Sequence, residues 1–323
     1  MTLPHPKIIY MGSPEFAVAP LKALLDNDYN IVAVITAPDK PAGRGKKIQS
    51  SAVKEFAISQ RLTVLQPEKL KDSEFLEILR NLQPDLQVVV AFRMLPEQVW
   101  SLPKLGTFNL HASLLPQYRG AAPINHAIIN GETESGVTTF FIDEKIDTGK
   151  ILFQEKVKIP SWYSAGDLHD QLMITGSELV VKTVMSVISG SWKETPQESL
   201  INESIALKPA PKIFKDDCQI NWNKKGSDIY NFIRGLSPEP TATTVLKGLE
   251  TEPVHVKIFK SEFLPATHEL NIGSIVVPDK KTLLVAVTDG YISVNSLQLA
   301  GKNKMDVVSF LNGFKVLPEH NFE

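Results

Sequence analysis

Only one cysteine, Cys218, stands among 323 residues, so an intramolecular disulfide is excluded. No CxxC pair or Cys/His cluster has the spacing of a structural zinc site, and a reducing compartment fits this usage. Charge of one sign is lacking too. With 34 Lys plus Arg against 36 Asp plus Glu the net charge is −2, which gives no whole-molecule pull toward nucleic acid or membrane. Any polyanion has to be held by a local patch. No apolar run approaches the ~20 residues of a membrane span, and the opening stretch MTLPHPKIIYMG passes straight into a strand-like run with no leader pattern. The expectation is a cytoplasmic protein with no membrane partner, no metal and no obligate protein partner, working as a monomer. Glycine is scarce where a dinucleotide site would need it. The first strand-like run ends in Met11-Gly12-Ser13-Pro14-Glu15, with one glycine where GxGxxG would fall. Ser13 and Pro14 suit a helix start, and no Walker A sequence occurs. A nicotinamide oxidoreductase and an NTPase are therefore poor fits.

What is present is 43% hydrophobic residues, enough for a sizeable core, and a length that suits two domains. Residues 7–11, 31–36, 62–66, 86–91 and 107–111 are short, nearly continuous apolar runs, as strands buried on both faces read. Helically spaced segments separate them, so a doubly wound α/β, Rossmann-like domain is expected, with ligands at the carboxyl ends of its strands. Two further strands, 136–142 and 151–159, precede a long amphipathic helix over roughly 166–189. The α/β domain then spans 1–205, a Pro-punctuated linker 206–217, and a small antiparallel β-barrel 218–323.

The stretch 107–126, TFNLHASLLPQYRGAAPINH, carries the most chemistry. On a strand, Asn109 and His111 share one face at the carboxyl end. An amide donor beside an imidazole suits attack on a carbonyl: the amide meets a developing oxyanion and the imidazole handles a proton. An N-x-H triplet serves an ordinary structural pair as readily. Ser113-Leu114-Leu115-Pro116 makes a rigid apolar turn able to wall a flat ligand, or simply to pack. Arg119 is the one fixed cation of this loop, available to an anion or to solvent. Farther along, Asp147-Thr148-Gly149 has the composition of a tight turn, where Asp147 either caps locally or returns to orient His111.

FNLHASLLPQYRGAAPI followed by GVTTFFIDEKIDTG resembles the signature of the folate-dependent formyltransferases. That resemblance implies that Asn109, His111 and Asp147 form the catalytic set, and that Ser113, Leu114, Leu115 and Pro116 lie beside the formyl-folate. It also implies that 10-formyltetrahydrofolate is the formyl donor. Members of the family differ in their acceptor. Here a loop after the second strand, APDKPAGRGKK at 37–47, brings Lys40, Arg44, Lys46 and Lys47 together, and a second domain follows. Both features resemble the members that formylate methionyl initiator tRNA, with the basic loop at the acceptor stem and an OB-like C-terminal domain on the tRNA. Taken by itself the loop reads equally as solvated. Two other readings stand beside this one: a formyltransferase acting on a nucleotide sugar, and a non-catalytic tRNA-binding protein on a decayed scaffold. The chain departs from the family pattern at Phe92-Arg93-Met94, where Arg93 replaces a usual glycine beside the expected folate pocket.

Overall fold

The computed structural model describes residues 6–42, 47–202, 204–248 and 252–323. Its first part is built on strands β1 (Ile8–Gly12), β2 (Ile31–Ile35), β3 (Lys40–Ala42), β4 (Lys47–Gln49), β5 (Val64–Leu65), β6 (Leu86–Val90), β7 (Thr107–His111), β8 (Glu134–Phe141) and β9 (Ile151–Lys158). The main sheet runs in the order β5-β2-β1-β6-β7-β8-β9, while β3 and β4 form a separate hairpin. From β5 to β7 every pairing is parallel; β8 and β9 are antiparallel. β1 and β6 are buried at every position, as strands covered on both faces must be.

On one face Ile9, Met11, Ala33, Ile35 and Val89 meet Phe75, Leu76 and Leu79 of the helix Ser73–Leu82. Asp72 starts that helix by accepting from the Glu74 and Phe75 amides, and Gln83, left-handed at φ 51°, ends it. Each fully buried leucine of such a face contributes about 1.5–3 kcal/mol. The chain leaves β1 toward β2 and β5 and returns on the other side through β6 and β7. The carboxyl ends of β1 and β6 therefore form the crevice in which doubly wound sheets hold ligands. A Cβ at Gly12 would lie 2.6 Å from that of Ala17, so the glycine permits the close turn that follows β1. Ser13 does not cap this turn, as the sequence suggests it should. Pro14 stands at its N-cap position without a side-chain bond, and the Ser13 hydroxyl accepts instead from Ala37 N and Thr36 Oγ1 across the strand ends.

The helix Ala165–Ser189 has the length and hydropathy of a membrane span, yet half of that window is buried inside the protein, as in a core helix. Its Gly176 lies against Leu110 of β7 and Val137 of β8.

The remaining strands are β10 (Ala242–Lys247), β11 (Val254–Pro265), β12 (Ile275–Asp279), β13 (Thr282–Val287), β14 (Gly290–Leu299), β15 (Met305–Asp306) and β16 (Asn321–Phe322). They form an antiparallel sheet ordered β12-β13-β14-β11-β10-β16, with β15 on β14. Its two ends meet, because Ser274 bridges Asn321 and Phe322 N donates to Gly273 O. Alternation along β11 buries Val256 and Ile258, then changes parity to Ser261 where the register with β14 shifts. Such a bulge bends a strand and lets the sheet curl. The core inside holds Trp222, stacked on Phe322 at 5.7 Å with its indole N–H on Thr244 Oγ1. Ile229 and Ile233 of the helix Gly226–Gly235 join it, and Cys218 is part of the same core.

The chain divides into two compact units: Met1–Gly120, Glu134–Lys158 and His169–Ala210 in one, Ala121–Thr133, Ile159–Leu168 and Pro211–Glu323 in the other. The stretch expected as linker begins inside the first unit, where Lys208 O accepts from Tyr118 N and Ala210 N donates to Arg119 O. Residues 121–133 belong to the second: Asn125 Nδ2 donates to Gly235 O at 2.8 Å. Arg234 is buried there, donating to Asn231 Oδ1 and Tyr163 O.

Candidate active site

β7 sits between β6 and β8 and carries Asn109 and His111 two residues apart on one face, its carboxyl end at His111. His111 is buried, and its Nε2 lies 2.8 Å from Tyr118 O. A carbonyl only accepts, so Nε2 carries the hydrogen and Nδ1 is left as an acceptor while the ring is neutral. Facing it at 3.8 Å is Asp147 Oδ2, which also accepts from Gly120 N at 2.9 Å. The short segment 118–120 therefore holds both groups, the imidazole by a carbonyl and the carboxylate by an amide. Its backbone is unusual: φ is 60° at Tyr118 and 128° at Gly120. A Cβ at Gly120 would approach Ala210 O to 2.3 Å, so no other residue fits. The structure thus brings Asp147 to His111 from a separate loop. The Asn109 side-chain amide, half-buried on the same strand, has no hydrogen-bond partner among the described residues.

Arg119 donates through Nε and Nη2 to Gln197 Oε1, at 3.0 and 2.6 Å, and has no carboxylate partner among the described residues. The same glutamine donates through Nε2 to Asp147 O and Gly149 O, at 2.9 and 2.8 Å. Gln197 is invisible to sequence reasoning. It sits in SWKETPQESL, a stretch with no periodicity and no motif, and only Pro196 ahead of a short 3-10 turn marks the place.

The Ser113–Pro116 turn is anchored from beneath. Ser113 Oγ donates to Gln117 O, Thr138 Oγ1 donates to Ser113 O, and Gln154 Nε2 donates to Leu115 O. Leu115 is buried with Phe140 and Ile151, and the Leu115–Pro116 peptide is cis. Ser113 and Pro116 are buried as well, so Leu114 alone of the four keeps a partly exposed side chain. Arg93 donates to the carbonyls of Pro67 and Glu68 and lies 5.5 Å over the Phe92 ring. The arginine that replaces glycine thus ties the segment after β6 to the chain after β5, and burial pulls its basicity below the ordinary value.

Of the basic loop, Lys40 is exposed at the start of β3 and Lys47 opens β4; Arg44 and Lys46 lie outside the described residues. The base of the hairpin is tied down through Asp39, which accepts from Lys54 Nζ and Gln66 Nε2. Among the described residues no group of three or more His, Cys, Asp or Glu side chains could hold a metal ion.

A largely parallel sheet, an imidazole facing a carboxylate, and on the same strand an amide with no partner among the described residues form the kind of arrangement that acyl transfer calls for. Residues 6–184 match the family described as formyl transferase, and residues 212–315 match the formyl transferase C-terminal domain. The chain belongs to the formyl transferase family. It is 55% identical over 318 residues to the methionyl-tRNA formyltransferase of Phocaeicola vulgatus, covering 98% of each chain. To the protein of the same name from Parabacteroides distasonis it is 54% identical over 315 residues, 97% of each. Among solved structures it resembles the N-formyltransferase of Helicobacter canadensis, crystallised with folinic acid and dTDP-3-aminofucose. The TM-score is 0.61 at 23% identity, over 90% of this chain and 98% of that one, a likeness of fold.

Proposed function

We propose that this chain transfers the formyl group of 10-formyltetrahydrofolate to the α-amine of methionine esterified to initiator tRNA, in the cytoplasm and as a monomer. The observation that carries this reading is identity of 54% and 55%, over nearly full length, to proteins named methionyl-tRNA formyltransferase. The residues around β7 fit the chemistry. A free Asn109 amide supplies N–H groups for an oxygen that gains charge, and the His111–Asp147 pair supplies two acceptors that face each other with no proton between them while the ring is neutral.

The folate cosubstrate supplies an activated formyl carbon, released to the amine as its bond to the folate nitrogen breaks. Ser113, Leu114, Leu115 and Pro116 wall that side of the site, mostly through backbone. Nδ1 of His111 and Oδ2 of Asp147 are placed to accept N–H bonds from the incoming ammonium, and Nδ1 takes one proton, leaving the lone pair free to attack. The carboxylate then compensates the charge on the imidazolium, which returns the proton to the departing nitrogen as its bond to carbon breaks, while the attacking nitrogen sheds its second proton to Oδ2 of Asp147, and from there to solvent, to leave the neutral amide. Asn109 donates to the formyl oxygen while it is anionic. Since Nε2 is committed to Tyr118 O, only a protonated Nδ1 makes His111 a second donor to that oxygen. Lys40, Arg44, Lys46 and Lys47 neutralise phosphates of the tRNA.

The deciding experiment offers purified protein 10-formyltetrahydrofolate with either methionyl initiator tRNA or an amino-sugar nucleotide. Formyl-methionyl-tRNA is the expected product. Formylation of the sugar amine alone, or of neither, would overturn the reading.

A further inference from the structure

We propose that Gln197 is a positioning residue for the transfer, setting Asp147 against His111 through the backbone of the 147–149 turn. The inference rests on the reading that Asp147 and His111 act in the reaction. Gln197 is fully buried, and its amide uses every hydrogen-bonding position it has: Oε1 accepts from Arg119 Nε and Nη2, and Nε2 donates to Asp147 O and Gly149 O. No part of it reaches the reacting groups. What it touches is the Arg119 side chain on one side of them and the backbone of the 147–149 turn on the other. Arg119 lies between Tyr118, whose carbonyl orients the imidazole, and Gly120, whose amide holds the carboxylate. One amide therefore locks the segment that carries both anchors to the turn that carries Asp147.

The turn needs such a lock. Asp147 is left-handed at φ 55°, a conformation that a non-glycine residue keeps only when its surroundings over-determine it. At Gly149 a Cβ would fall 1.6 Å from Phe141 O, so the turn presses on β8 while Gln197 grips two of its carbonyls. The amide is also the right chemistry. A carboxylate would satisfy Arg119 but face the carbonyls of residues 147 and 149 without a hydrogen, and it would add a second negative charge to the turn that carries the functional one. Methionine matches the length but makes none of the four bonds.

The test is a double-mutant cycle of Gln197→Met with Asp147→Asn, and of Gln197→Glu with Asp147→Asn. It is read as single-turnover formylation at saturating folate and tRNA, with KM for each substrate and a thermal melt alongside. Gln197→Met should lower kcat by about tenfold to a hundredfold, the scale of a misplacement near 1 Å, with both KM values little changed. In the Asp147→Asn background the same substitution should cost less than about twofold further, because the group it positions is already disabled. Gln197→Glu, which keeps its acceptor toward Arg119, should show the same non-additivity and guards against a Met variant that fails to fold. Equal losses in both backgrounds, or a Gln197→Met and a Gln197→Glu enzyme at the wild-type rate beside an impaired Asp147→Asn, would overturn the positioning role alone. A wild-type rate for Asp147→Asn overturns the role of Asp147 and this proposal with it.

Discussion

Around His111 the polar contacts are short, buried and directional. Nε2 meets a carbonyl, the carboxylate meets an amide, and a buried glutamine ties the two loops together. The β3–β4 hairpin is the opposite kind of construction. Ile48 of β4 is 76% exposed, and Lys40, paired with Gln49, is exposed as well. On the proposed function, the contrast follows from what each region would do. Proton transfer depends on alignment within tenths of an ångström and gains from a dry, low-dielectric setting. Attraction to a polyanion acts over a Debye length of about 8–10 Å and tolerates a loosely placed charge. In one region, then, shape carries the energy. In the other it is charge count, and substitutions in the two should separate rate from binding.

The largest effect belongs to the buried region. His111→Ala or Asp147→Asn should lower kcat by at least ~10², the usual scale for losing an acid–base group or its partner, while tRNA binding is largely retained. Stopped-flow formylation combined with a binding titration measures both. Loss of tRNA affinity in step with rate would erase the distinction between the two regions, and near-normal turnover would remove the residue from the set.

How much of the molecule is legible in the sequence follows the same division. The alternation of two-sided apolar runs with helically spaced segments predicts the doubly wound sheet, because burial on both faces leaves a compositional mark. Asn109 and His111 share a face by strand periodicity alone. Asp147 is different: its approach to His111 depends on a loop that folds back to Gly120, and only the family resemblance points there. Gln197 leaves no mark at all, since a hydrogen bond to a backbone carbonyl fifty residues away in the chain imposes no local pattern. Nor does the sequence announce β10, because its ATTVLK follows directly on the SPEPT segment, whose prolines read as loop. Ser13 has the local signature of a cap, whereas its hydroxyl answers groups just beyond the end of β2, a bond created only when β1 and β2 pair.

A middling effect is expected from the basic loop's charges. Replacing Arg44, Lys46 and Lys47 together by Gln should weaken tRNA binding severalfold or more. It should also flatten the slope of log affinity against log salt by about 0.7–0.9 for each phosphate no longer neutralised. At saturating tRNA kcat should stay close to wild type, since these cations belong to a different segment from the acceptor pair. A salt slope identical to wild type would return the loop to the role of a solvated connection.

The smallest effect should come from the hairpin's footing, where the two styles of construction meet. Asp39 accepts from Lys54 Nζ and from Gln66 Nε2, and these bonds, the lysine's first, hold its carboxyl below the ordinary aspartate value. Lys54 is itself set by the helix Ala52–Ser59, whose N-cap Ser51 accepts from Lys54 N and bonds Thr36 at the end of β2. A depressed carboxyl stabilises the fold above its unfolded pKa, and the contribution fades as pH falls through the folded value. Asp39→Asn should therefore unfold slightly more easily than wild type in denaturant at neutral pH, with the two curves converging in acid. Because the pair is near the surface, tRNA affinity should fall only about twofold. A gap between the two proteins that persists unchanged from neutral to strongly acid pH would show that the footing is not electrostatic, and that the hairpin is placed by packing.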